Sequence, residues 1–167
     1  MKQAIAGVAP PQLSEVTVMV TWPSIASTGL GQFLGRLYLI GYKKSWLPIG
    51  AIIALLSIPI ALPLYMSMLF PPWSMKRYRL TNRRVTIERG LAGKVQQYVD
   101  LDRFDTIDVV VQPGQAWYPA GDLVFKKGAT ETFRLHGVLR PDTFRATCMK
   151  AHQSYVGVKK ALAYESR

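Results

Sequence analysis

Lys76–Glu88 reads KRYRLTNRRVTIE. Its first five residues, KRYRL, alternate between basic and apolar. In an extended strand Arg77 and Arg79 therefore share one face, and Tyr78 and Leu80 share the other. Thr81-Asn82 is a turn signal, and the β-branched Val85–Glu88 starts a second strand. The stretch predicts a hairpin with its apolar pair turned inward.

Downstream the same grammar repeats. Val95–Val99, Thr106–Val111, Asp122–Phe125 and Thr132–Leu135 are short β-type segments. Gly90, Gly93, Pro113-Gly114 and Lys126-Lys127-Gly128 punctuate them. Six short strands at this spacing suggest a small sandwich or open barrel. The period then changes. Pro141 suits a first helical turn and Asp142 places an acid near the positive helix end. Phe144, Cys148, Ala151, Tyr155, Val158 and Leu162 recur at helical spacing, opposite Arg145, Lys150, Lys159 and Lys160. That apolar face predicts a helix covering the open side of the strands. A coiled-coil seam is the second reading, but Cys148 and Ala151 would pack poorly in one.

Upstream the composition is different in kind. Leu47–Phe70, LPIGAIIALLSIPIALPLYMSMLF, runs for 24 residues without a charge. One helix of that length would extend roughly 36 Å, enough to cross a hydrocarbon core of about 30 Å. Trp46 and Trp73 bracket it as interfacial aromatics do. Pro48 falls in the first turn, whereas Pro59 and Pro63 should kink the interior. Ile25–Tyr42 is a weaker apolar stretch with Gly31 and Gly35 four apart, a spacing that lets helices approach closely in a membrane. Its Arg36 would cost about 2.5–3.5 kcal/mol at a bilayer centre. The stretch is either a short first span, forming a hairpin with the second, or an interfacial helix. The hairpin is favoured, with Lys43 and Lys44 in its turn. Residues 1–14 lack the apolar core of a signal peptide. Glu15–Trp22, EVTVMVTW, reads as a short strand that Pro23 ends, and Ser24 can cap the next helix.

The whole chain has 167 residues and a net charge of +11. Seventeen of its 21 basic residues lie after residue 73. A single cysteine and two histidines argue against a disulfide framework and a multi-ligand metal site.

Arg77-Tyr78-Arg79-Leu80-Thr81-Asn82-Arg83-Arg84-Val85, then Gly90, then Val99-Asp100-Leu101-Asp102-Arg103-Phe104, resembles the bacterial membrane-anchored pleckstrin-homology-like (PH-like) domains. In that family a Y-x-L-T-N-x-R turn opens the domain just after the membrane helices. Gly121-Asp122, Gly137-Val138 and Pro141 fit the later part of the pattern. The resemblance covers roughly residues 75–160 and departs at the long Gln112–Ala120 loop, where Trp117 and Tyr118 have no assigned role. It implies a PH-like barrel capped by a C-terminal helix. It implies binding of lipid head groups, peptides or proteins, and no reaction.

The residues that could carry chemistry point the same way. Asp100, Asp102, Asp105 and Asp108 lack the glycine and distal glutamate of a calcium loop, and read as turn residues and partners for nearby arginines. His136 has no nucleophile at a recognisable spacing, and the Cys148–His152 pair reads as packing. No phosphate-binding or dinucleotide motif is present. No catalytic residue, cofactor or metal is assigned.

Lys76, Arg77, Arg79, Arg83 and Arg84 are the candidate lipid-binding cluster. Basic residues beside a span also hold the adjoining domain in the cytoplasm, and that alone accounts for them. Contact with anionic lipid would add about 1 kcal/mol per residue near the surface. Nucleic acid is not expected, since no binding motif accompanies the charge.

The sequence thus predicts a membrane-anchored α+β protein. Residues 1–24 form an N-terminal segment with a short strand. Residues 25–73 form the anchor, a transmembrane helical hairpin of 25–42 and 47–70. Residues 74–167 form a PH-like small β-barrel or sandwich capped by an amphipathic helix. The expected role is a non-enzymatic adaptor or scaffold at the cytoplasmic face of the inner membrane. It would bind protein partners and anionic lipid head groups. The alternative is an accessory structural subunit of a larger membrane complex. If 25–42 spans, Glu15–Trp22 lies on the barrel's side and can add to a sheet edge. If 25–42 lies at the interface, that pairing is impossible.

Overall fold

The computed structural model describes residues 15–42, 49–69 and 75–165. Trp46, Lys43, Lys44, Pro48, Phe70 and Trp73 lie outside them. The strands form two antiparallel sheets. In the first, β1 (Thr17–Thr21), β2 (Lys76–Thr81), β3 (Arg84–Arg89) and β4 (Lys94–Asp100) lie side by side in chain order. In the second, β5 (Thr106–Val110), β6 (Ala120–Lys127) and β7 (Thr130–Leu139) do the same. All six strands expected after residue 74 are present. The Glu15–Trp22 strand does join the sheet edge, with Val20 opposite Arg79 and Thr21 opposite Tyr78.

The β2–β3 hairpin has the orientation that alternation required. Tyr78 and Leu80 are buried, and across the register Leu80 faces Val85 while Arg79 faces Thr86. Both sheets turn their apolar faces toward one core, in which Phe104 and Phe125 meet edge to face at 4.9 Å. α4 (Pro141–Glu165) covers one opening of this sandwich. Its Phe144 and Cys148 are fully buried, and His152 donates from Nδ1 to the Leu101 carbonyl at 2.6 Å. The predicted apolar face packs on the core through Tyr155 and is lost only in the last turns of the helix. Leu162 is 45% exposed, because a helix of 25 residues, roughly 37 Å, outreaches the sheets it covers.

The region expected to be an anchor departs from that expectation. Ile25–Ser27 is a 3-10 turn capped by Ser24, and α1 spans Gly29–Tyr42. The 47–70 run is not one helix. It forms α2 (Ile49–Leu56) and α3 (Ile58–Leu69), divided at Ser57. Pro59 has no N–H to give the Leu55 carbonyl, so the helix stops there, and proline is well placed in the first turn of the next one. Hydrogen bonding resumes at once, Ala61 N donating to Ser57 O at 2.8 Å. Among the described residues no helix is long and apolar enough to cross a membrane.

α1 and α2 pack together, and the Tyr38 and Ser57 hydroxyls are hydrogen-bonded. The unassigned loop now has a role, for it is the seat of α1. Trp117 lies 5.3 Å from the Tyr38 ring and Tyr118 6.4 Å. Arg36 Nε donates to Pro113 O at 3.2 Å. Gly35 meets Gly114 backbone to backbone, and a side chain at either would overlap the other segment.

Candidate functional site

The basic cluster is built on β2 and β3, and most of it is paired. Register places Arg77 opposite Glu88. Arg77 Nε lies 2.5 Å from Glu88 Oε2, and Arg79 Nε lies 3.1 Å from Oε1. The Glu88 side chain is only 4% exposed, so its charge depends on these two guanidinium groups. Gly93 lies close beneath Arg77, in a left-handed conformation that favours glycine. Arg84 grips Glu15 with two bonds, Nε to Oε1 at 2.8 Å and Nη2 to Oε2 at 2.7 Å, and sits over the Tyr98 ring at 5.3 Å. The Arg84 bond holds the Glu15 carboxyl below its usual range. Arg83 is partly buried in the β2–β3 turn, and Lys76 is exposed at the start of β2.

The Y-x-L-T-N-x-R residues have visible structural work. Tyr78 donates its hydroxyl to His136 O at 2.8 Å, and burial pushes its pKa up. Thr81 Oγ1 accepts from Arg84 N at 3.0 Å, closing the turn. Asn82 pairs with Val16 at both ends, accepting at Oδ1 from Val16 N at 3.0 Å and donating its N–H to Val16 O at 3.1 Å. The motif is the receiver for β1.

Among the described residues, Gly31 and Gly35 each lie against backbone of another segment. Gly31 abuts the Ile25 carbonyl of the 3-10 turn, and Gly35 abuts Gly114. The four-residue spacing serves two close backbone approaches within this chain.

A buried network was not foreseen. Asp122 on β6 is 3% exposed. Its Oδ1 accepts from Gln115 Nε2 at 2.7 Å and from Gly137 N at 2.9 Å, and its Oδ2 lies 3.2 Å from His136 Nδ1. Gln115 also accepts from Gln112 N at 2.8 Å and reaches Ala26 O at 3.4 Å. Ser24 N donates to Gly137 O at 2.8 Å, and Pro23 bridges Val138. One carboxylate thus fastens the loop, β7 and the start of the helical region. Gln115 and Asp122 are distant from Ala26 in sequence, so no local pattern reveals this. Of the other aspartates, Asp102 pairs with Lys159 and Asp108 with Lys126, each at 2.7 Å. Their partners are lysines, where arginines were expected. Among the described residues no group of three or more His, Cys, Asp or Glu side chains comes together around a metal-sized space.

The opening of the sandwich that α4 leaves uncovered is a cleft of about 1610 Å³. β4 and β7, the last strands of their sheets, line it through Gln97, Tyr98, Phe133 and Arg134. Trp22, Lys76, Arg89 and His136 contribute, and α3 supplies Leu64, Tyr65 and Ser67. Of the five candidate lipid-binding residues, Lys76 alone belongs to its lining.

No curated protein and no solved structure matches the chain. A family model described as Bacterial PH domain matches residues 25–152. The match takes in the helical region, the β2–β3 hairpin, the Asp122 network and the first half of α4. The two antiparallel sheets and their capping helix are what that fold requires, and the chain belongs to the bacterial PH domain family.

Proposed function

We propose that this chain is a non-enzymatic, membrane-associated PH-like module. It presents its sheets to protein partners, and its cationic side chains to anionic lipid, at the cytoplasmic face of the inner membrane. One observation carries the reading: the apolar surface of the helical region. Leu30 and Phe33 on α1, Ile52, Leu55 and Leu56 on α2, and Ile58, Ile60 and Leu62 on α3 are all exposed, Leu56 by 73%. A contiguous apolar surface beyond a few hundred Å² marks an interaction site, and a hydrocarbon interior suits aliphatic side chains with no polar partners. Lys76, Arg89 and Arg134, which line one cleft with Leu64, Tyr65 and Ser67 of α3, fit a headgroup layer.

Flotation of the full chain with phospholipid vesicles tests this. The chain is expected to float and to resist high salt, because the apolar contact is not screened. Leu55→Asp with Ile58→Asp, both at exposed positions, is expected to release it, at about 2.5–3.5 kcal/mol per charge at membrane depth. A wild-type chain left behind in the soluble fraction overturns the reading.

A role as accessory subunit of a larger membrane complex is favoured by a second apolar feature. Val16, Val18, Val20 and Trp22 form an exposed stripe along β1. Isolation from membranes in mild detergent as a stoichiometric complex supports that role, and isolation as a lone chain supports the adaptor.

A further inference from the structure

We propose that the outer face of the first sheet is a docking surface for an acidic segment of a protein partner, with Arg77 and Arg79 meeting its carboxylates. The inference rests on the reading of the sheets as a surface for protein partners, and it names the face and the chemistry that would cover it.

Register builds the face. Tyr78, Leu80, Val85 and Val99 point into the core, so their neighbours along each strand point outward. One outward row crosses all four strands, from Val20 through Arg79 and Thr86 to Tyr98. The next runs from Arg77 through Glu88 to Val95. These rows do not have the make-up of a solvated sheet face. Their margins are apolar and open, Val20 being 40% exposed, Val95 46% and Tyr98 55%. Between the margins Thr86 and Glu88 are buried. None of these positions holds a lysine, and arginine and tyrosine beside apolar side chains are the anchors that protein interfaces favour.

Charge selects the partner. Arg77 and Arg79 share the single carboxylate of Glu88. Two guanidinium groups on one carboxylate leave a positive charge in excess at the centre of the face. Arg79 Nε is buried and lies 3.1 Å from Oε1, yet among the described residues it makes no aligned hydrogen bond. The Arg79 side chain is still 33% exposed, so a carboxylate arriving from outside can reach it and balance the charge. The chain as a whole, at +11, attracts an acidic partner and repels a second copy of itself. An anionic headgroup layer would answer the charge but not the apolar margins.

The test uses the full chain in bacterial cells, with the photocrosslinker benzoylphenylalanine at position 20 or 95. Position 130, exposed at the start of β7 in the other sheet, is the control. Irradiation is expected to join positions 20 and 95 to one and the same protein. Mass spectrometry is expected to place the joined segment beside aspartate or glutamate. Two substitutions at the exposed Val20 then read the charge. Val20→Glu and Val20→Lys lose the same apolar contact, but only the first repels a carboxylate. The crosslinking yield at position 95 is expected to fall about tenfold further for Val20→Glu than for Val20→Lys. Arg79→Gln is expected to lower it as well, and circular dichroism confirms that each variant is folded. Equal yields from the two Val20 variants overturn the proposal, as does a folded Arg79→Gln chain that crosslinks like the wild type. Capture of lipid, or of a second copy of this chain, at positions 20 and 95 also overturns it. Capture of protein at position 130 alone overturns the face and leaves the adaptor reading intact. No capture at any of the three positions overturns both.

Discussion

Glu15 and Arg84 are 69 positions apart and meet in a two-bond pair that pins the N-terminal strand to the turn after β2. The Arg84 hydrogen bond is the main cause of the lowered Glu15 pKa, and partial burial opposes it. The folded value therefore lies below the ordinary 4.5. A group of this sign stabilises the fold above its unfolded pKa, and the contribution is lost as pH falls through the folded value. Glu15→Gln is expected to cost about 0.5 kcal/mol at neutral pH, the scale of a partly exposed pair. The difference between variant and wild type should close as pH drops below 4.5, since acid removes the same charge from the wild type. Denaturant titrations at neutral pH and in acid measure it. A difference that stays constant with pH would show that Glu15 acts through packing rather than charge. The sequence disclosed the alternation of Arg77 and Arg79 but not their neutralisation. Glu88 becomes their partner through the register of β2 on β3, and two cations on a strand do not announce where an acid will be folded against them.

At the scale of elements, strands and the capping helix were legible because burial of one face imposes a period on local sequence. Phe144 and Cys148 were placed correctly on that basis. The division at Ser57 was half legible: Pro59 and Pro63 announced a distortion, and hydropathy alone concealed how complete it would be. The 112–119 loop was not legible, because its partner, α1, lies far away in sequence and the contact is between two glycine backbones. That contact makes a prediction. A methyl group at Gly35 would run into the Gly114 carbonyl, which is backbone and cannot swing aside. Gly35→Ala is expected to lift α1 from its seat and cost about 1–3 kcal/mol, the usual range for overpacking. Amide exchange across residues 112–119 should quicken. Gly29→Ala is the control, since the space around Gly29 is open, and it should leave exchange in the loop unchanged. Equal effects from the two substitutions would mean that the Gly35–Gly114 approach does not hold the helix.

For the molecule as a whole, the pairing of β1 with β2 limits how the chain can meet a membrane. The two strands share a sheet, so they lie on one side of any bilayer, yet the whole helical region separates them in sequence. Between residues 21 and 76 the chain therefore crosses an even number of times, zero included. This removes the single-crossing arrangement, in which the N-terminal strand and the barrel would be on opposite faces. On the membrane reading proposed above, two arrangements remain. In one, α1 and the α2–α3 pair form a crossing hairpin. In the other, the kinked apolar helices enter one leaflet and return. Labelling of intact cells with a membrane-impermeant thiol reagent separates them, using single cysteines at positions 14 and 45 in a Cys148→Ser background. Cys148 is itself a poor target, since it is fully buried and burial pushes its thiol pKa up. A crossing hairpin would label position 45 and leave position 14 protected until the cells are opened. Protection of both positions would establish the returning arrangement and keep the barrel and β1 together. Labelling at 14 with protection at 45 would place β1, and with it the barrel that it pairs with, on the outer face, and would overturn the cytoplasmic orientation proposed above while leaving the β1–β2 pairing intact.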